Sequence, residues 1–111
     1  FTDPQIASVG PSEQELKERF GDDLKSAEFP FSDHGRSILM EARRGYVRIF
    51  SNAKDQKVLR AECVGKDAGE LIHAMAVAVG IGATVDQLLD APWYHPTLSE
   101  IWTYPLDDLA S

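Results

Sequence analysis

His95 stands five residues ahead of Glu100 in the segment Tyr94-His95-Pro96-Thr97-Leu98-Ser99-Glu100, a spacing that can set an imidazole beside a carboxylate at a helix entrance. Histidine is the side chain whose unperturbed pKa lies in the physiological range. A carboxylate bonded to its Nδ1 fixes the tautomer and leaves Nε2 free to take up and release a proton. The same spacing has a plainer use. Thr97-Leu98-Ser99-Glu100 is a capping box, in which Glu100 bonds the backbone N–H of Thr97. A carboxylate has two acceptor oxygens, so the two uses are compatible. The isomer of the His95-Pro96 bond is open at this level, with trans the ordinary state of an X-Pro turn.

The other residues of chemical interest read more simply. His34, in Ser32-Asp33-His34-Gly35, suits a solvated turn, and His73, among Ile72, Ala74 and Met75, suits a packed or interface histidine. No second His or Cys stands at metal-ligand spacing, so no metal site is expected. Cys63 is the single cysteine, which excludes an internal disulfide and a CxxC pair and points to a reducing compartment. It alternates within an apolar strand and reads as a small core residue. Gly80-Ile81-Gly82 follows a helix, not a strand, and Val85 stands where a dinucleotide fingerprint needs a third glycine; it is expected to stop the helix.

The elements that must position these residues follow from periodicity and punctuation. Ile6 to Val9 reads as a strand. Ser12 caps a helix over 13–20 that ends at Gly21. Leu24 to Phe31 contains Pro30 and reads as a strand at a sheet edge or one ending early. A helical or turn-like stretch is expected over Arg36 to Glu41. Gly45 to Phe50, a polar turn at Ser51 to Gln56, and Val58 to Val64 form an antiparallel hairpin. Asp67 with Glu70 resembles an acidic capping box for a helix over 68–79, whose Leu71, Ile72, Met75, Ala76 and Val79 make a wide apolar face. A brief helix over Val85 to Leu89 and a last helix from about Leu98, interrupted by Pro105, complete the chain. Helices and strands do not alternate as a parallel sheet requires, so the fold class expected is α+β, an antiparallel sheet with helices packed on it.

At 111 residues and 43% hydrophobic content the chain suits one core and one domain, 1–111. Its 18 acidic against 11 basic residues, net −7, disfavour nucleic acid and anionic membranes as partners. No apolar run is long enough to span a bilayer. Trp93, Tyr94, Trp102 and Tyr104, with the apolar helix 68–79, are core material by default, yet numerous enough to favour an obligate interface. The opening Phe1-Thr2-Asp3-Pro4, without methionine, suggests a domain cut from a longer protein.

Four segments carry a resemblance: Phe1 to Gly10, Phe29-Pro30-Phe31 through Arg36, Gly65 to Ile72 in the pattern G-x-x-A-G-E-L-I, and His95-Pro96-Thr97-Leu98-Ser99-Glu100. Nearly end to end, the chain resembles the C-terminal dimerisation domain of the class I pyridine nucleotide-disulfide oxidoreductases, nearest the dihydrolipoamide dehydrogenase branch. The resemblance implies a homodimer in which His95 enters the partner subunit's active site as general acid/base. Glu100 would orient the imidazole, and Pro96 would hold the turn and serve as a cofactor-binding residue.

It further implies that electrons pass from dihydrolipoamide, carried on the lipoyl domains of 2-oxoacid dehydrogenase complexes, through a disulfide and FAD to NAD in a cytoplasmic full-length enzyme. FAD and NAD would belong to domains outside this fragment, which alone would bind neither and be inactive. Histidine at position 95 suits the branches that deprotonate a dithiol, and Leu98, where glutathione-type members have serine, leans toward the lipoamide branch. Tyr94 stands where the best-known lipoamide enzymes have a small residue, and Trp102 to Pro105 falls where they continue a helix. The alternatives are the same domain of a sister reductase, glutathione-type or a divergent paralogue, or a purely structural homodimerisation module.

Overall fold

In the computed structural model, which describes residues 5–33, 45–95 and 97–111, four strands form one antiparallel sheet in the order β1-β4-β3-β2. The strands are β1 (Gln5–Val9), β2 (Leu24–Pro30), β3 (Tyr46–Asn52) and β4 (Val58–Gly65). The helices are α1 (Glu13–Phe20), α2 (Ala68–Gly80), α3 (Val85–Asp90) and α4 (Thr103–Ala110), with a 3-10 turn at Leu98–Trp102 leading into α4. This is the α+β arrangement expected.

Side-chain alternation explains why the sheet has one dry face. Cys63 pairs with Val47 on one side and Ala7 on the other, Ala61 with Ile49 and Val9, and the rows continue onto Phe29 and Ala27 of β2. Val47, Ile49, Ala61 and Cys63 have no exposed surface. α2 lies over β4 and β1 on this face and α4 over β2 and β3, which buries Val47, Ile49, Ala61 and Cys63 at a period of two, until the register shifts at Phe50/Ser51, where both residues are buried. Pro30 ends the outermost strand β2, where its missing N–H interrupts no ladder.

The opposite face is built around Arg48, flanked across the strands by Glu28 and Glu62. Its Nε donates to Glu28 Oε1 at 2.9 Å, and Glu62 and Glu13 of α1 approach to 3.6 and 3.7 Å. The Glu28 hydrogen bond, foremost, raises the guanidinium pKa against the opposing effect of burial. Gly45 opens β3 at φ +98°, and a Cβ there would collide with the Val64 carbonyl oxygen, so the close approach requires glycine.

Several local expectations are corrected. β3 runs through Ser51, which is buried, to Asn52. Asp67 does not cap α2 with its carboxylate; it sits at φ 62°, ψ 25°, outside the extended region from which an N-cap side chain reaches back, and only its carbonyl accepts from Glu70 and Leu71. Pro105 does not interrupt the last helix but lies in the first turn of α4, where its missing N–H has no partner to lose. The Gly80 to Gly82 stop holds. Gly82 at φ 69° donates to Val79 and Ala83 to Ala78, a Schellman termination. The stretch expected over Arg36 to Glu41 lies outside the described residues.

Candidate functional site

The site is built on the short turn that leads into α4, and that turn is anchored from within the core. Trp102, with no exposed surface, donates its indole N–H to the carbonyl of Leu71 in α2 at 2.9 Å. Ile101 beside it is equally buried. Trp102 is therefore core, not interface: a buried indole needs an acceptor, and the α2 backbone supplies one. Thr103 then donates its hydroxyl to the Glu100 carbonyl at 2.7 Å, closing the 3-10 turn onto the helix. Glu100 is held from behind.

On this base Glu100 fulfils both uses its spacing allowed. Oε1 accepts the Thr97 backbone N–H at 2.8 Å, while His95 Nδ1 lies 2.7 Å from Oε2 and 2.9 Å from Oε1. An ionised carboxylate only accepts, so Nδ1 carries the proton and the lone pair falls on Nε2. The Glu100 side chain is 19% exposed and that of His95 81%. The pair thus consists of a half-buried orienting carboxylate and an imidazole presented to the surroundings, an arrangement that can accept a proton at Nε2 while the developing imidazolium faces a negative charge.

One contact here has no signal in the sequence. Thr97 donates its hydroxyl back to the Tyr94 carbonyl at 2.7 Å, and the Tyr94 side chain beside His95 is 78% exposed. A threonine at a helix N-cap signals the capping box formed here with Glu100, and nothing in its spacing signals this additional backward bond. Pro96 and His34 lie outside the described residues. His73 is exposed on α2. Cys63 is fully buried and desolvation pushes its thiol up to about 12, which leaves it an inert core residue.

Among the described residues no group of three or more His, Cys, Asp or Glu gathers as a metal site would, and no helix is long and apolar enough to cross a membrane. A hollow of about 230 Å³ lined by Leu16, Phe20, Leu59 and Val79 includes neither His95 nor Glu100.

Comparison with known proteins identifies the family. Residues 1–105 match the family described as the pyridine nucleotide-disulphide oxidoreductase dimerisation domain. A dihydrolipoyl dehydrogenase of Corynebacterium glutamicum is 35% identical over 101 residues, covering 90% of this chain and 22% of that protein. The dihydrolipoyl dehydrogenase of Bacillus subtilis is 33% identical, over 91% of this chain and 21% of its own length. The chain thus spans about a fifth of the curated relatives it matches.

Among solved structures, LpdA of Mycobacterium tuberculosis superposes with a TM-score of 0.86 at 30% identity, over 97% of this chain and 23% of that one. The Cu(II) complex of the HOCl-induced flavoprotein disulfide reductase RclA of Escherichia coli gives 0.85 at 25% identity, over 94% and 23%. With its antiparallel sheet, its helices and its sequence matched almost from end to end, the chain belongs to the dimerisation-domain family of the pyridine nucleotide-disulphide oxidoreductases.

Proposed function

We propose that this domain presents His95 as the acid/base group of a cytoplasmic, flavin-dependent dihydrolipoamide dehydrogenase, acting in the partner subunit's active site of a homodimer, with Glu100 as its orienting residue. The observation that carries this reading is the 2.7 Å bond from Nδ1 to the Glu100 carboxylate on an imidazole 81% exposed. A histidine that only closed a turn would gain nothing from having its outer nitrogen unencumbered. In the reaction, Nε2 takes the proton of a dihydrolipoamide thiol. The thiolate attacks one sulfur of the parent enzyme's disulfide, which forms a mixed disulfide and releases the other sulfur as a thiolate. The Glu100 charge offsets the charge gained by the ring.

FAD and NAD, when bound, supply the removal of the electron pair. Among the described residues the fit is to the proton-transfer part of that work: Gly80-Ile81-Gly82 ends a helix, and the hollow beside α1 is smaller than an ordinary ligand site and lacks His95 and Glu100. Both groups would be held by the rest of a longer parent. For the homodimer, Val77 of α2 and Ile81 at its C-cap, one turn apart, are 53% and 75% exposed and offer an apolar stripe to a second copy.

The test is steady-state NAD reduction by dihydrolipoamide in the full-length parent. His95→Gln should lower turnover by about 10²- to 10⁴-fold, the usual loss with a general acid/base, and near-normal rates would sink the assignment. A second reading, a sister disulfide reductase, is favoured by the likeness to RclA. Under it the parent is silent with dihydrolipoamide yet reduces another disulfide, such as glutathione disulfide with NADPH, and still depends on His95.

A further inference from the structure

We propose that Thr97 is a positioning residue for His95, acting through its hydroxyl on the backbone and through its amide on Glu100; this deepens the acid/base reading and rests on it. Packing within this chain does not hold the imidazole, whose side chain is 81% exposed, so before a partner subunit meets it only hydrogen bonds restrict its rotamers. Such bonds converge on Thr97. Its N–H meets Glu100 Oε1 at 2.8 Å, so the carboxylate is held with Oε2 nearest His95 Nδ1, at 2.7 Å. Its hydroxyl donates to the Tyr94 carbonyl at 2.7 Å, tying the residue before His95 to the start of the turn that carries Glu100.

One residue therefore sets both the backbone from which the imidazole projects and the oxygen that orients it. That turn is in turn fixed to α2 through Trp102 and Leu71, so the chain of contacts ends in the core. Proton transfer depends steeply on the placement of the accepting nitrogen, and losing the hydroxyl bond should reach the rate even though Thr97 touches no reacting atom.

The experiment compares Thr97→Val, Thr97→Ser and His95→Gln in the flavin-loaded full-length parent, reading kcat, KM and the thermal midpoint. Valine keeps the shape and the backbone N–H but removes the hydroxyl. The expected result is a kcat about 2- to 10-fold lower in Thr97→Val, the rate equivalent of one ordinary hydrogen bond, with KM and midpoint unchanged and activity restored in Thr97→Ser.

Wild-type kcat in Thr97→Val beside an inactive His95→Gln overturns the positioning role and leaves the base standing. Unchanged rates in both overturn the acid/base reading itself. A serine variant no better than valine removes the hydroxyl as the cause. A rate loss that tracks a fallen midpoint across the variants marks Thr97 as merely structural.

Discussion

Replacing Glu100 by glutamine alters a single terminal group, and the geometry makes that alteration worse than deleting the side chain beyond Cβ. The Thr97 N–H points at Oε1 from 2.8 Å, so an acceptor must stay there. A glutamine has one acceptor oxygen and one NH₂. Its oxygen takes the Oε1 place, and its NH₂ falls where Oε2 stands 2.7 Å from His95 Nδ1. A donor facing Nδ1 draws the ring into the tautomer with its proton on Nε2, which can no longer accept one.

Turning the amide over restores the useful tautomer but sets two donors face to face at Thr97. An unsatisfied donor costs about 1–3 kcal/mol. With the Glu100 side chain 19% exposed, water relieves part of that, leaving about 1–2 kcal/mol, or a 5- to 30-fold depletion of the working form. Loss of the carboxylate charge, discounted for the exposed ring, adds a factor of about 2–5.

Turnover in Glu100→Gln should therefore fall by about 10- to 150-fold. In Glu100→Ala, where no amide biases the tautomer and only charge and tether are lost, it should fall by about 2- to 10-fold. The assay is kcat for NAD reduction by dihydrolipoamide in the full-length parent, both variants being compared at equal flavin content. A glutamine variant faster than the alanine variant would refute the reasoning, because it would mean that the amide does not hold the ring in the idle tautomer.

The remaining predictions concern the core and the interface. With its thiol raised by burial from 9.0 to about 12, native Cys63 should react with iodoacetamide at pH 8 about a thousand-fold more slowly than after denaturation; equal rates would contradict its burial. The sign of the linked pH dependence follows. Above pH 9 the unfolded chain loses this proton while the folded one keeps it, so folding stability should fall as pH rises from 9 toward 12, by up to about 1.4 kcal/mol per unit, measurable by urea titration against Cys63→Ala. Val77→Asp with Ile81→Asp should raise the dimer dissociation constant at least about 10-fold in sedimentation, since a twofold axis counts each buried carboxylate twice. An unchanged dimer would remove the α2 stripe from the interface.

Much of the fold is written locally. Val47 and Ile49 alternate in β3 and Ala61 and Cys63 in β4, and that period alone marks the hairpin and its dry face. Ser12 caps α1 through Glu15, and Gly82 stops α2. Where local rules misled, tertiary context had replaced them. Asp67 has a capping residue's chemistry in a left-handed backbone, Pro105 fits a first helical turn because the preceding 3-10 turn starts α4 late, and Trp102 faces the core because Leu71 offers it an acceptor.

The His95–Glu100 pair belongs to the first kind. Its members are five residues apart and the capping box fixes their distance, so backbone geometry within one turn is enough to bring an imidazole to a carboxylate. What the sequence by itself determined is this pair and the alternation of the sheet, both set by interactions within a few residues. Only the tertiary structure decided that β1 joins β4, that Trp102 anchors the turn to a helix 31 positions earlier, and that the imidazole stays exposed while its partner is half-buried. Each of those depends on which distant surfaces exclude water, and no local spacing encodes that.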